Sequence, residues 1–505
     1  MAHPTFFERL VMHICRYYVS AVFIPLRSLV LPFLYFIEFI CAKFKVTYSP
    51  ELHANKVEHV QSQIMDWNKA GRRNKLCTAR PGWVSMSLTR LPVYKDAMTG
   101  IDLSRLDDLV SIDKEAMTIT VEPLMKMGQL TRILGSKGYT ILVVPELKFL
   151  TVGGLICGAG LETSSHKYGF FHNTCTSYEV VLSSGEVVKC SKDENSDMFY
   201  AIPGSYGTLG FLTAATIKIM KAEKYVKLSY IPVNSLDEAT KRVTEESLKT
   251  PGPDFVEGIM YSLDKGVIMV GTLTSKSEPG KVNPVSAGYK KSFYKHVQSF
   301  LTDNQSTNLP ISQIAPNTEF IPLRDYYHRH SYATFWTCHT YVPYIDVPLF
   351  RYIFGWAQVE DNYAYKIIPR YFRRIFEINL VIQDLIVPID KMKMALEFFH
   401  EEVKVPNEPV YFKFDGNADK MYMDIGLYGY SGKPDDYEVV KSNKALEQFC
   451  LENDCIKGAY ADLWLSRNEH DQMFDPTLYN KVRAQLNCSD AFPDIYDKIC
   501  QAGRK

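Results

Sequence analysis

The feature that most constrains this chain is the stretch Thr151–Thr163, TVGGLICGAGLET, followed at once by SSHKYG. Gly153, Gly154, Gly158 and Gly160 stand close together behind an apolar run, Ile141–Val144, and a proline. Glycine takes up backbone angles that other residues avoid, and it lets a ligand come close to the main chain. Such a loop can aim bare N–H groups at a diphosphate, so it predicts a site for a phosphate-bearing cofactor. The spacing is not that of a Rossmann turn, which needs G-x-G-x-x-G at the opening of a helix and an acidic residue about 20 positions on. No Gly-Lys-Ser/Thr follows, which excludes a Walker loop. A glycine-rich turn without a ligand is the alternative. Two more glycine turns in the same part of the chain, Arg80-Pro81-Gly82 and Gly204–Gly210, weigh against it.

A chain of 505 residues exceeds what one core holds, so two or three domains are expected. The 57 basic residues balance 57 acidic ones, which gives no support for a nucleic-acid partner. The 11 cysteines are scattered singly without CxxC pairs, a pattern that fits neither a disulfide framework nor a zinc site and favours a reducing compartment. No metal is therefore expected. The 32 Tyr and 28 Phe suit a protein that binds something large and apolar, though a plain core uses them as well.

Residues 1–45 read as a membrane anchor. Val19–Ala42 carries only Arg27 and Glu38 as charges, with Pro25 and Pro32 inside it. About 20 apolar residues cross a bilayer as a helix, and prolines are tolerated there. The segment lacks the short apolar core and small-residue cleavage site of a secretory signal. A single span or a hairpin lying in one leaflet is the favoured reading over a buried core helix. Arg9 and Arg16 precede it and Lys43 and Lys45 follow, so basic residues do not orient it.

Residues 46–222 read as one α+β unit. Val57, Val60, Ile64 and Trp67 give Glu51–Lys69 a helical period. Leu76–Arg90 suggests strand, tight turn and strand. Leu109–Asp113 and Thr118–Glu122 suggest strands, Met127–Lys137 a helix, and Tyr178–Lys189 a hairpin on a Ser-Ser-Gly turn. Residues 223–455 differ in character. Tyr225–Val233, Phe255–Thr272, Leu380–Val387 and Met421–Leu427 look like strands of an antiparallel sheet, with helices near Lys391–Glu402 and Tyr437–Asn453. Thr274–Ala315 reads as a polar excursion. The tail, 456–505, includes YADLWLSRNEHDQMF and a helix around Pro476–Leu486.

Arg80-Pro81-Gly82-Trp83, then TVGGLICGAG, HKYG, YEVVLSSGEVV and DMFYAIPGSYGTLGFLT, follow the order of the FAD-binding domain of vanillyl-alcohol-oxidase-type (PCMH-type) flavoproteins. With FVEGIMYSLD, YIPVNS, IPLRDYYHRH, FRYIFGW, YADLWLSRNE and DAFPDIYDKIC, the whole chain resembles the Diminuto/Dwarf family of delta(24)-sterol reductases. That resemblance implies a PCMH-type FAD-binding domain, an antiparallel-sheet cap and a tail that returns to the flavin domain. It also implies FAD-dependent, NADPH-consuming reduction of the carbon-24/carbon-25 double bond of a sterol at the endoplasmic reticulum membrane. Cofactor contact carries over to Arg80, Pro81 and Gly82, and to Thr151, Val152, Gly153, Gly154, Leu155, Ile156, Cys157, Gly158, Ala159, Gly160, Leu161, Glu162 and Thr163. It carries over also to His166, Gly207, Leu209 and Gly210. The first turn lacks a histidine and Val143–Val152 lacks a cysteine, so the FAD is expected to be non-covalent.

Three proton donors are candidates. Tyr460 lies in the tail where related flavoproteins return towards the flavin ring, and a core tyrosine is the competing reading. His328, with Arg329 and His330, forms a polar cluster that could donate protons or grip an NADPH phosphate and on a strand would put both histidines on one face, an exposed polar edge being the alternative. Glu257 is a lone carboxylate on a strand. Residues 405–420 depart from the family pattern, which has a longer apolar insertion there. A glycine at 204 is a smaller departure. A flavin oxidase using oxygen, or a silent flavin-fold protein, remains the alternative function. Oligomeric state is open.

Overall fold

The computed structural model describes residues 6–44, 50–80, 93–305, 317–342, 344–357, 380–403, 410–417, 420–430 and 438–501. Pro81, Gly82 and Trp83 of the first glycine turn lie outside the described residues.

The flavin-side unit begins with a helix, Pro50–Lys69, whose buried face is Val57, Val60, Ile64 and Trp67, as the sequence period requires. Strands β1 (Leu76–Thr78) and β2 (Thr99–Ile101) pair in parallel. They are followed by β3 (Leu109–Asp113), β4 (Thr118–Val121), β5 (Tyr139–Ile141), β6 (Cys175–Val181), β7 (Val187–Ser191) and β8 (Phe211–Lys221). These form an antiparallel sheet in the order β3-β4-β8-β6-β7, with β5 joined to the far end of β8. The long β8 is its spine.

The cap sheet comprises β9 (Tyr225–Val233), β10 (Phe255–Ser262), β11 (Lys265–Thr274), β12 (Asn317–Pro322), β13 (Leu380–Pro388), β14 (Val410–Asn417), β15 (Lys420–Tyr430) and β16 (Ile456–Lys457). All eight pair antiparallel in the order β12-β9-β11-β10-β14-β15-β13-β16. The segment that departs from the family pattern thus includes β14, in the interior of the sheet. Alternation assigns the two faces. Val226, Leu228, Phe255, Ile259, Val267 and Met269 point into a core shared with the flavin-side unit. Val233, Val256, Met260 and Ile268 point into a second core. That second core lies beneath the helices Leu236–Leu248, Met392–Val403 and Val439–Glu452. Because both faces are buried, the strands read as nearly continuous apolar runs.

Two expectations change. Residues 328–330 are not strand: β12 ends in a short helix, Leu323–Tyr327, and turns follow it. His328, Arg329 and His330 are all at most 3% exposed, so they form no solvated edge. The excursion after β11 contains a helix, Phe293–Gln305. At the N-terminus, Phe6–Phe44 is one continuous helical path rather than a hairpin. A π turn at Val19–Phe23 stands just before Pro25, the kind of local adjustment by which a helix accommodates a proline. Among the described residues, His13–Phe33 is long and apolar enough to cross a membrane by length and composition.

A buried ionic cluster pins the helix Pro50–Lys69 to its sheet. His53 bridges Glu122 at 2.8 Å and Glu179 at 3.0 Å. Lys56 bridges Asp108 and Glu122, each at 2.7 Å. Asp107, Asp108 and Glu122 lie close enough together to hold a cation, and the Lys56 ammonium supplies positive charge to two of them. Burial opposes charge on His53, but Glu122 and Glu179 outweigh it and raise its pKa to about 9. Its unfolded value is about 6.5, so the folded state binds the extra proton. The resulting stability is complete below that value and is lost as pH rises through about 9. Thermal unfolding should therefore move to lower temperature between those pH values, and His53→Gln should flatten that dependence while lowering the midpoint most on the acidic side.

Candidate active site

The glycine stretch folds into a tight turn and a short helix. Thr151 caps the helix Val152–Cys157, its Oγ1 accepting from the Gly154 N–H at 3.3 Å. Val152 and Ile156 are wholly buried and anchor the turn, each worth about 2 kcal/mol of apolar burial. Close approach then dictates glycine. A Cβ on Gly153 would stand 2.7 Å from Pro123 Cβ, and one on Gly160 would stand 2.6 Å from Leu155 Cδ2. Ala159, between them, is held in the left-handed region at φ 58, strain of about 1 kcal/mol that the surrounding packing must sustain.

The second glycine loop docks on the first. The Gly204 N–H donates to Ile156 O at 3.3 Å, and the Tyr206 N–H donates to Cys157 O at 2.9 Å. Gly204, Tyr206 and Gly207 all have positive φ, at 73, 53 and 69. That conformation reverses the chain sharply, and a Cβ on Gly210 would meet Val180 Cγ1 at 2.5 Å. The Lys498 ammonium, from the tail helix Ile495–Ile499, donates to Tyr206 O and lies 4.0 Å from where a Gly207 Cβ would stand.

These loops line a cavity of about 1230 Å³. Single-ligand pockets run to about 1000 Å³, so there is room for more than one molecule. Arg80, Lys95 and Lys498 all line it. Lys95 donates to Thr78 O at 3.1 Å and Arg80 O at 2.8 Å, which ties the first turn to β1. Burial lowers the pKa of both Arg80 and Lys95. A diphosphate would relieve that strain by supplying counter-charge. The bare glycines, the left-handed turns and the three cations together fit FAD. Cys157 also lines the cavity, and burial pushes its thiol up to about 11, so it stays protonated and unreactive at neutral pH.

The opposite part of the wall comes from the cap and the tail. Tyr460, Asp384 and Tyr428 line it together. The Tyr428 hydroxyl donates to Asp384 Oδ1, and the Gly458 N–H donates to Asp384 O at 2.7 Å. Gly458 is tight against Tyr460, whose Cε1 would be 3.0 Å from an added Cβ. Burial and the Asp384 charge raise the Tyr428 phenol well above its ordinary value. Apolar side chains complete this part: Ile382, Ile386, Phe335 and Met473. Ile24 from the N-terminal helix, with Val342 and Ile345, adds an apolar corner.

Of the residues expected to contact the cofactor, Arg80, Thr151, Gly153, Gly154, Leu155, Cys157, Gly158, Ala159, Gly160, Leu161, Gly207 and Gly210 line the cavity. Val152, Ile156 and Leu209 are buried as the packing beneath. Glu162, Thr163 and His166 turn into the seam between the units. His166 contacts Thr163 O and Pro253 O, each at 3.0 Å. The seam also holds Glu257 and His328. Arg329 Nη2 donates to Glu162 Oε1 at 2.9 Å and to Glu257 Oε2 at 2.8 Å, and the Tyr326 hydroxyl donates to Glu257 Oε1 at 3.0 Å. Burial alone would raise the Glu257 pKa, but the Arg329 guanidinium and His330 hold it low, so it has no proton to give. His328 contacts Thr131 Oγ1 at 2.8 Å and Glu146 O at 3.2 Å, and burial drives its pKa down to about 3. Tyr460 alone of these three stands on the cavity wall. Lys95, Lys498, Asp384 and Tyr428 were not singled out from the sequence; only Lys498 sat within a family-like stretch, DAFPDIYDKIC.

Over residues 55–191 the chain matches the FAD binding domain family. It is 41% identical to the Delta(24)-sterol reductase of Mus musculus over 472 residues, covering 91% of this chain and 89% of that protein. The same figures describe its likeness to the Delta(24)-sterol reductase of Homo sapiens. The Delta(24)-sterol reductase of Arabidopsis thaliana is 33% identical, with 97% of this chain and 93% of the relative covered. Identity at this level over nearly the whole length places the chain in the delta(24)-sterol reductase family, with an FAD-binding domain within its N-terminal half.

Proposed function

We propose that this chain catalyses FAD-dependent, NADPH-consuming reduction of the carbon-24/carbon-25 double bond of a desmosterol-like sterol, at the endoplasmic reticulum membrane. The observation that carries this reading is the cavity itself. One continuous space joins a cationic, glycine-lined wall to an apolar corner that includes Ile24 of the candidate membrane helix. A sterol partitions into the bilayer, and an anchor at His13–Phe33 would hold the apolar corner at its source. The family membership supports the sterol.

FAD, when bound, supplies the hydride chemistry. The Thr151–Leu161 and Gly204–Gly210 loops would hold its diphosphate, with Arg80, Lys95 and Lys498 as counter-charges; Cys157 stays a thiol, consistent with a non-covalent cofactor. Saturating an alkene also needs a proton at the second carbon. Tyr460 is the group we assign to deliver it. A phenol has a pKa of about 10, so it keeps its proton at neutral pH and needs a partner to release it. Tyr428, bonded to Asp384, orients the wall beside it. Ile382, Ile386 and Phe335 exclude water and seat the apolar side chain. Glu257 and His328 we assign to the seam behind the wall.

Under anaerobic conditions NADPH should bleach the bound flavin and desmosterol should restore its absorbance. Recovery that needs air and ignores sterol would replace this reading with an oxidase. Tyr460→Phe should lower kcat about 100-fold while flavin content is unchanged, the usual scale of a general acid. Lys498→Met should weaken flavin retention about tenfold or more, as expected for a lost hydrogen bond to a charged group, measured as flavin released on dialysis.

A further inference from the structure

A second cavity, of about 480 Å³, opens among the 280–291 loop, the helix Phe293–Gln305, β12 and a short helix, Pro348–Phe354. Lys281, Lys290, Lys291, His296 and Arg351 line it, against one carboxylate, Glu319. That carboxylate is already engaged. It accepts from His296 Nε2 at 2.8 Å and from the Tyr230 hydroxyl at 3.0 Å. Of the lysines, Lys281 pairs with Glu278 at 2.6 Å, outside the cavity lining. Asp346 pairs with His339 at 2.9 Å and also feels the Arg351 charge, without a hydrogen bond to its Nε or Nη1.

Arg351 is the unusual group. It is 7% exposed, and its Nε and Nη1 are buried without a hydrogen-bond acceptor. A guanidinium does not shed its proton in a protein, and buried N–H donors without an acceptor are unfavourable. The cavity therefore presents donors that a bound anion would satisfy. Its geometry is held by backbone rather than by flexible side chains. Gly355, four residues after Arg351, presses directly on Gly288, and neither position has room for a Cβ. This contact sets Arg351 at a fixed separation from Lys290 and Lys291, two and three residues beyond Gly288.

We propose that this cavity binds a phosphate group, with Arg351 as the buried anchor and Lys290 and Lys291 as the outer clamp. The guanidinium fork matches two phosphate oxygens at once, and the ammonium groups neutralise the remaining charge. Two ligands would bring such a group. One is the 2′-phosphate of the reduced dinucleotide, which rests on the function proposed above. The other is the headgroup of an anionic lipid, because the same short helix exposes Leu349, Tyr352 and Ile353 beside the N-terminal helix.

The test measures binding to the full chain without turnover, using inorganic phosphate, 2′,5′-adenosine bisphosphate, and phosphatidylcholine vesicles with and without phosphatidic acid. Inorganic phosphate should bind, and one of the two larger probes should bind more tightly. Arg351→Gln and the surface double variant Lys290→Gln/Lys291→Gln should each weaken binding at least tenfold, with flavin content unchanged. Preference for the bisphosphate, lost in both variants, assigns the dinucleotide; preference for phosphatidic acid assigns the lipid. Absence of binding by every probe, or equal binding by wild type and both variants, overturns the proposal. Because no sterol is turned over, failure of the sterol reading would not produce that result.

Discussion

The arrangement of the two units depends on one guanidinium. Arg329 sits in the seam, fully buried, shared between Glu162 of the glycine-loop segment and Glu257 of β10. Removing three charged groups from water is costly, and their mutual attraction offsets that only when geometry and extra hydrogen bonds are good. Here they are: Arg329 Nη1 also donates to Tyr326 O at 2.9 Å, and Tyr326 reaches both Glu257 and Thr163. Such a network contributes little net stability compared with the apolar core around it. Its effect is specificity, because any other docking of cap on flavin unit would leave a buried charge without a partner. The cavity, which has walls from both units, keeps its shape for that reason.

Within the flavin unit the governing constraint is steric. The Thr151–Leu161 turn lies against Pro123 and folds back on its own Leu155, and the Gly204–Gly210 loop is hydrogen-bonded to that turn through Ile156 and Cys157. Neither loop could hold its course with side chains at Gly153, Gly160 or Gly210. The closeness that forbids a Cβ leaves main-chain groups bare along a cationic wall. The tail contributes as well: Arg483 Nη1 donates to Thr208 O at 3.0 Å, and the Tyr479 hydroxyl meets Thr208 Oγ1 at 2.8 Å. The tail is thereby docked on the second loop, where Lys498 donates to Tyr206 O, 292 positions away in sequence.

Much of the fold was legible because local periodicity reports burial directly. Val57, Val60, Ile64 and Trp67 announce a helix, and the apolar runs at 225–233, 255–272 and 380–387 announce strands, which the structure buries on both faces. The segment 328–330 is not legible locally, because His-Arg-His alternates as a strand does. What decided its conformation was the partners of Arg329, Glu257 and Glu162, 72 and 167 positions away. The pair Tyr428–Asp384 was equally invisible, since it forms only when β13 lies beside β15 in register.

The sequence by itself determined that three glycine turns suit a phosphate-bearing cofactor, because glycine spacing is a local property that sterics read residue by residue. It determined an apolar N-terminal helix for the same reason. Only the tertiary structure decided which charged residues face the cavity and which lock the seam. Glu257, His328 and Tyr460 looked alike as candidates in one dimension. Burial separated them: two are enclosed among fixed partners with their pKa values displaced, and one stands on the cavity wall. That distinction depends on packing between distant segments, which no local pattern encodes.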